Sequence, residues 1–247
     1  MPNTLPICGL NKTTLLDYPE HVASTIFLGG CNFRCPFCHN GELVLSPTDY
    51  ISYSEEDIMV HLSKRRGVLS GVCITGGEPT LYPALKNFMQ KIKDLGYQIK
   101  LDTNGSKPVF LSELIQADLI NYIAMDIKAD PASYPKAIGA SLFPKEISAV
   151  GDSSSLLSAI NESVQLIRSS QIPYEFRTTA VKGLHDEETF QKIGKWLHGS
   201  GSYFLQNYVE SDHVINPVFS SFTKEELTEF AKICEPHFSS VSIRGVD

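Results

Sequence analysis

Three cysteines stand within eight positions of this chain, at Cys31, Cys35 and Cys38, and His39 follows the last of them directly. Thiolates and imidazoles are the side chains that hold transition metals, and neighbouring thiols also exchange disulfides. The spacing therefore indicates redox or metal chemistry. Four interpretations of the loop are open at this point: a structural zinc, an attached haem, a thioredoxin-like thiol pair and an iron-sulfur cluster.

Each interpretation uses the loop differently. Zinc would take three thiolates and His39 in a tetrahedron. The run Cys35-Pro-Phe-Cys38-His39 matches the c-type haem attachment pattern, whose chemistry belongs outside the cytoplasm. A thioredoxin-like thiol pair made of Cys35 and Cys38 would give Cys31 no function. A four-iron cluster usually takes four thiolates, so three of them would leave one iron open to another ligand.

The composition and charge of the chain limit the kinds of partner that the protein can have. The chain has 247 residues, and its 21 Lys and Arg against 28 Asp and Glu give a formal charge of −7, which argues against nucleic acid as a partner. Residues 1–20 lack a basic start followed by an apolar stretch, and no apolar run approaches the ~18 residues of a membrane span. We expect a cytoplasmic protein without a membrane partner, in which six cysteines do not predict a disulfide framework.

The elements that must position the loop follow a repeated order of strand and helix. Strands are predicted at Val22–Leu28, Val72–Ile74, Gln98–Leu101, Asn121–Met125, Tyr174–Thr179 and Tyr203–Gln206, with a short last one at Val241–Ile243. Amphipathic helices alternate with them, and residues 130–155 read as a long, partly ordered loop with one short helix. Six such units predict an α/β fold, an incomplete TIM-like (β/α)6 barrel of parallel strands.

Polar residues collect where the predicted strands end. After the cysteine loop these groups are Gly76-Gly77-Glu78, Asp102-Thr103-Asn104, Asp126 with Lys128, Arg177 with Thr179, and Gln206-Asn207. In barrels of this kind the reactive residues lie at the carboxyl ends of the strands, so we expect these groups at one end of the fold. Plainer interpretations are a strand-to-helix turn for the two glycines and a surface ion pair for Asp126 and Lys128.

The Cys-x3-Cys-x2-Cys spacing, with Phe37 before the third cysteine, resembles the motif of the radical S-adenosylmethionine superfamily. The resemblance implies one 4Fe-4S cluster held by Cys31, Cys35 and Cys38. In that family the open iron binds the amino and carboxylate groups of S-adenosylmethionine, and reduction cleaves it to methionine and a deoxyadenosyl radical. Gly76-Gly77-Glu78 resembles the segment whose backbone approaches the methionyl amino group.

Two further segments, at residues 101–105 and 125–128, resemble the glycyl-radical activating enzymes. The resemblance implies a monovalent cation near Asp102, Thr103 and Asp126, and a catalytic role for Lys128. It implies cofactor-binding roles for Phe37, Cys38, His39, Gly76, Gly77, Glu78, Asp102, Asn104, Asp126, Lys128 and Thr179. The histidine that these enzymes carry on the sixth strand corresponds to Val209 here, so its role is not transferred.

The run from Gly9 to Pro19 resembles activating proteins of anaerobic ribonucleoside-triphosphate reductase. The resemblance implies an oxidoreductase that installs a glycyl radical on that enzyme, with a flavodoxin or ferredoxin-type reductant. The alternatives are a pyruvate formate-lyase type of activator and an enzyme acting on a small molecule, as in the carboxy-deazaguanine synthases. We expect a single domain over 1–247, with a cluster and S-adenosylmethionine half at about 20–129, the loop at 130–155 and the rest of the barrel at 156–247.

Overall fold

A computed structural model describes residues 4–148, 153–211 and 214–246 of the chain. Its eight strands form one sheet in sequence order: β1 (Ile7–Thr14), β2 (Ala23–Leu28), β3 (Gly71–Gly76), β4 (Gln98–Thr103), β5 (Tyr122–Asp126), β6 (Tyr174–Ala180), β7 (Ser200–Asn207) and β8 (Phe238–Arg244). Within the described residues this order has two ends, at β1 and β8, so the sheet is open. The predicted α/β fold of incomplete-barrel type is confirmed.

The helices alternate with the strands as the sequence predicts. They are α1 (Gly41–Leu45), α2 (Glu55–Lys64), α3 (Leu85–Asp94), α4 (Pro108–Gln116), α5 (Tyr134–Ala137), α6 (Pro144–Ser148), α7 (Ser153–Ser169), α8 (Glu187–Trp196) and α9 (Lys224–Cys234), with 3-10 turns at Pro47–Tyr50, Pro79–Leu81 and Glu235–His237. Each strand from β2 to β7 is followed by at least one helix, which accounts for the six predicted units. The strand pairs β2–β3, β3–β4, β6–β7 and β7–β8 are parallel.

Three features of the fold differ from the sequence-based expectation. β1, which pairs antiparallel with β2, was not predicted, because Asn11, Lys12 and Thr13 leave its second half exposed and polar. β8 is longer than the predicted Val241–Ile243. The stretch 130–155 contains two short helices and the start of α7 at Ser153, and it buries Tyr134 and Ala137, while its residues 149–152 lie outside the described part.

The chain groups into two compact units, which are described separately below. The first comprises residues up to 31, 42–124 and 159–173, and the second comprises 32–41, 125–158 and 174 onward. The cysteine loop after Cys31 groups with the second unit, and residues 159–173 group with the first. The single domain over 1–247 stays a prediction.

In the first unit, α3 packs a fully apolar face inward and the parallel strands β2 to β4 end at one edge. Leu85, Phe88, Met89 and Ile92 are all buried, at the i, i+3, i+4 and i+7 spacing of a helix face. α2 begins at a capping box, in which the Ser54 hydroxyl accepts from the Asp57 N–H and the Asp57 carboxylate accepts from the Ser54 N–H. Because β2, β3 and β4 are parallel, their carboxyl ends and the loops that follow place Cys31, Gly76-Gly77-Glu78 and Asp102-Thr103-Asn104 at the same edge.

In the second unit, aromatic rings form the core beneath β6 to β8. The Phe190 and Phe230 rings of α8 and α9 stack with centroids 4.7 Å apart, and Tyr203 of β7 stacks on Phe238 of β8 at 4.4 Å. Capping boxes begin both helices, at Asp186 and at Thr223.

None of the helices described is both long enough and apolar enough to cross a bilayer.

Candidate active site

The first cysteine is held at the edge of the first unit by a turn of two glycines after β2. The Gly29 N–H donates to the Pro6 carbonyl at 2.8 Å, and the Tyr82 hydroxyl donates to the Gly29 carbonyl at 2.8 Å. Gly30 has φ +78°, a conformation that glycine adopts without cost. The Asn104 side-chain amide donates to the Cys31 Sγ over 3.8 Å, so the loop after β4 contacts the cysteine.

Gly77, in the loop after β3, packs so closely against Gly30 that no side chain fits at its position. A Cβ built on Gly77 would lie 1.9 Å from the Gly30 carbonyl oxygen, and one on Gly76 would lie 2.2 Å from the Leu28 carbonyl. The Glu78 N–H donates to that Gly30 carbonyl at 2.8 Å. The two glycines therefore let the loop after β3 press against the loop that ends in Cys31. Their expected contact with S-adenosylmethionine stays a prediction.

Glu78 joins the loops after β3 and β4. Its carboxylate is fully buried and accepts from the Thr103 hydroxyl at 2.8 Å, the Asn104 N–H at 2.6 Å and the Thr80 N–H at 3.0 Å. Burial raises the pKa of Glu78, while these donors act to lower it. Because its oxygens are used within the protein, Glu78 acts here as a positioning residue for Asn104, and through it for Cys31.

Asp102 and Thr103, the expected cation ligands of this unit, already have protein partners. The Lys100 ammonium lies 2.6 Å from the Asp102 carboxylate, and their side chains are 4% and 12% exposed. The Thr103 hydroxyl donates to Glu78 and accepts from the Gly105 N–H at 3.1 Å. Sequence reasoning missed Lys100, although its position two residues before Asp102 on a strand places both on one face.

The other two cysteines belong to the second unit, in a short turn. The Cys38 N–H donates to the Cys35 carbonyl at 3.0 Å. Burial raises the pKa of Cys35 to about 12 and also raises that of Cys38, while the Lys128 ammonium acts to lower both. Lys128 is therefore placed to stabilise the two thiolates once a metal displaces their protons.

Backbone contacts from distant segments hold this turn. The Arg34 N–H donates to the Ile138 carbonyl at 3.0 Å, and the Asn216 N–H donates to the Pro36 carbonyl at 2.8 Å. Gly139, at φ +88°, has no room for a Cβ, which would meet the Arg34 carbonyl at 2.1 Å. The segment after α5 is thus a structural support of the cysteine turn.

Asp126 and Lys128 form an ion cluster with Arg177. The Asp126 carboxylate accepts from the Arg177 Nε at 2.7 Å and from the Lys128 Nζ at 3.1 Å. Burial raises the pKa of Asp126, but the guanidinium and the ammonium outweigh it and hold that pKa well below its usual range. Burial lowers the pKa of Lys128, and Asp126 outweighs it, so the ammonium stays charged. The two positive charges of Lys128 and Arg177 exceed the single negative charge of the Asp126 carboxylate that lies between them.

Two buried side chains, His185 and Glu175, lie next to Lys128 and Arg177, the cations of this cluster. The His185 ring accepts from the Val181 N–H at 3.0 Å through Nδ1, so its Nε2–H donates to the Lys128 carbonyl at 2.9 Å. Glu175, fully buried, lies 4.0 Å from the Arg177 guanidinium and binds Arg244 through both oxygens at 2.8 and 3.0 Å. Neither His185 nor Glu175 was singled out in the sequence, because nothing in their local sequence points to Lys128 or Arg177.

The remaining expected cofactor contacts also lie in the second unit. Phe37 is buried, with its ring edge-on to His185 at 6.3 Å, and the His39 ring lies 5.5 Å from the Tyr208 ring. Thr179 is half-buried on β6, in register with Gln206. Val209, the position of the missing histidine, is 56% exposed. Their contact with a cofactor stays a prediction.

The donor set matches the chemistry of an iron-sulfur cluster. None of the six cysteines, all of which lie in the described part of the chain, forms a disulfide, and thiolates are the usual ligands of such clusters. Among the residues that the structure describes, no three His, Cys, Asp or Glu side chains are already arranged as a metal site. The expectation of a cluster at Cys31, Cys35 and Cys38 rests on the spacing of the motif, and Lys128 places a positive charge near Cys35 and Cys38.

Comparison with known proteins identifies the family. Residues 25–193 match the Radical SAM superfamily. A Methanocaldococcus jannaschii protein named as a glycyl-radical enzyme activating enzyme is 29% identical over 247 residues, covering 98% of this chain and 96% of that protein. The 7-carboxy-7-deazaguanine synthase of Haemophilus influenzae is 33% identical over 82 residues, 33% of this chain and 35% of the synthase.

The fold is shared with Streptococcus suis SuiB, solved with S-adenosylmethionine bound, at a TM-score of 0.62 and 15% identity. That likeness covers 87% of this chain, which spans about half of SuiB at 48%. At this identity the likeness concerns the fold alone. The family match over residues 25–193, more than half of the chain, establishes that the chain belongs to the radical SAM superfamily.

Proposed function

We propose that this protein is an activating enzyme that installs a glycyl radical on a partner enzyme. The observation that carries the proposal is the similarity to an activating enzyme along nearly the whole of both chains, 98% and 96%. The run from Gly9 to Pro19 favours an anaerobic ribonucleoside-triphosphate reductase as the partner, with a pyruvate formate-lyase type of enzyme as the alternative. A cytoplasmic location and a flavodoxin or ferredoxin-type reductant complete the proposal.

Cys31, Cys35 and Cys38 would hold one 4Fe-4S cluster. When bound, the cluster supplies the single electron that cleaves S-adenosylmethionine to methionine and a deoxyadenosyl radical. The thiols of Cys35 and Cys38 are protonated when free, because burial raises their pKa values, so they release protons as they bind iron. Lys128 offsets the negative charge that the two thiolates then carry.

The ion cluster of the second unit would bind the charged end of S-adenosylmethionine. Lys128 and Arg177 together carry one more charge than Asp126, so the cluster attracts a carboxylate, while Asp126 can accept from an amino group. Phe37, His39 and Thr179 would contact the rest of the molecule. The cofactor-binding roles that the resemblance implies for Gly76, Gly77, Glu78, Asp102 and Asn104 of the first unit belong to the same proposal, with Glu78 acting by positioning Asn104.

Electron paramagnetic resonance tests the product. The anaerobically reconstituted protein is reduced and mixed with S-adenosylmethionine and each co-encoded glycyl-radical enzyme. We expect a doublet that collapses when the partner's glycine is deuterated at Cα, and no doublet with the Cys38→Ser variant. The proposal fails if every such partner gives no signal while S-adenosylmethionine is cleaved.

A small molecule as substrate is the second candidate. It is favoured by the 33% identity to a 7-carboxy-7-deazaguanine synthase, although that match covers only 33% of this chain. Turnover of a purine-like substrate without any protein partner, together with absence of the glycyl doublet, would support this alternative.

A further inference from the structure

Lys100 is a buried cation that the proposed chemistry leaves without a role. It lies in the middle of β4, two residues before Asp102, so the two side chains project from the same face of the strand. The ammonium contacts the Asp102 carboxylate at 2.6 Å and the Cys73 Sγ at 3.8 Å. Because a buried ammonium is costly unless it is paired, this geometry makes the Lys100–Asp102 pair a fixed part of the first unit.

The other oxygens expected to hold a monovalent cation are engaged as well. In the first unit the Thr103 hydroxyl both donates, to Glu78, and accepts, from the Gly105 N–H. In the second unit the Asp126 carboxylate accepts from Arg177 and Lys128. A hard cation needs several oxygen ligands whose negative charge is not already neutralised. The donor set therefore does not fit a bound alkali ion.

We propose that the Lys100 ammonium supplies the positive charge that neutralises Asp102, and that the protein binds S-adenosylmethionine without a monovalent cation. This inference rests on the function proposed above. A second cation at the same carboxylate would be repelled by the ammonium over a few ångströms of protein interior, where charges are weakly screened. Lys100 is thus a positioning residue: its contact holds the Asp102 carboxylate in place at the end of β4, next to the loop that carries Asn104.

The test compares salts at constant ionic strength. The wild-type protein with its cluster is titrated anaerobically with S-adenosylmethionine by calorimetry in potassium, sodium and choline chloride. Choline is too large to enter an alkali-ion site, so it reports what binding is like without such an ion. Because the inference requires no alkali ion, we expect dissociation constants that agree within about twofold among the three salts. Binding that weakens about tenfold or more in choline would overturn the inference and leave the proposed function standing. No binding in any salt would contradict the proposed function itself.

A variant gives the test a positive signal. Lys100→Met removes the ammonium but keeps an unbranched side chain, so we expect binding that is weak in choline and recovers about tenfold in potassium. Lys91→Met is the matched control, because Lys91 forms an exposed ion pair with Glu55 at 3.0 Å, and it should bind as the wild type does in every salt. A Lys100→Met protein that binds as tightly as the wild type in choline would show that Lys100 is not the counter-charge. If that variant does not fold, the wild-type salt series decides alone.

Discussion

At the scale of single residues, this protein uses buried side chains to hold other side chains. Glu78 positions Asn104, His185 positions Lys128, and Glu175 lies beside Arg177. Each of these contacts is made in the interior, where an unpaired polar group is costly, so the geometry of the outer residue is strongly determined.

His185 makes stability depend on pH. Burial lowers its pKa from 6.5 to about 4, and its Nδ1 already accepts from the Val181 N–H, so the folded protein resists protonation. Below pH 6.5 the unfolded chain binds a proton that the folded chain does not, so stability is full above that pH and falls toward pH 4. We expect the free energy of unfolding to drop by about 2 kcal/mol between pH 7.5 and 5 from this residue.

Urea unfolding at several pH values measures this effect. His185→Gln should lower stability at pH 7.5 but flatten the decline between pH 6.5 and 5, since the amide does not titrate. A variant with the same slope as the wild type would show that other groups cause the acid sensitivity.

Asp126 and Lys128 are predicted to be needed for binding and cleavage of S-adenosylmethionine more than for holding the cluster. Asp126→Ala and Lys128→Ala should each keep most of the bound iron, because neither residue is a thiolate ligand, yet lower the yield of 5'-deoxyadenosine at least tenfold. Iron analysis and chromatography of the products separate the two effects. Lys182→Ala, which breaks an exposed pair with Glu226, is the control and should cleave normally. Normal cleavage by both Asp126→Ala and Lys128→Ala would refute the roles given to these residues.

At the scale of elements, the loops after β2 and β3 depend on each other. The Gly77 Cα lies so near the Gly30 carbonyl that a methyl group would fall 1.9 Å from the oxygen, and backbone cannot yield as a flexible side chain does. The loop that carries Cys31 would then have to move. The position of Cys31 thus depends on a residue in the loop after β3.

Gly77→Ala is therefore predicted to disturb the cluster loop and the fold together. We expect it to lower the free energy of unfolding by about 2 kcal/mol or more and to reduce iron uptake on reconstitution. Gly201→Ala is the control, because a Cβ there meets nothing closer than 3.4 Å. Denaturant unfolding and iron analysis check both variants, and a Gly77→Ala protein with full iron content would contradict the expected movement of Cys31.

At the scale of the whole molecule, one cluster per chain is predicted. Cys31, Cys35 and Cys38 form the cysteine cluster of the sequence, and residues 39–72 contain no cysteine for a second one. Anaerobic reconstitution should give about four irons per chain, and Cys38→Ser should remove most of them. Tightly bound zinc without iron-dependent absorbance, or about eight irons per chain, would each contradict the prediction.

The sequence by itself determined what depends on neighbours in the chain. The spacing of Cys31, Cys35 and Cys38 indicates metal or redox chemistry, and the alternation of apolar strands and amphipathic helices predicts the six βα units, since both signals are local. The antiparallel β1 lacks such a local signal, because its exposed second half carries no apolar alternation.

Only the tertiary structure decided which side chains meet. Arg177 reaches Asp126 across 51 positions, His185 reaches Lys128 across 57, and Asn104 reaches Cys31 across 73. Even Lys100 and Asp102, two residues apart, pair in the interior only because β4 is covered on that face. Burial sets the strength of such contacts, and burial is a property of the packed chain that no local spacing encodes.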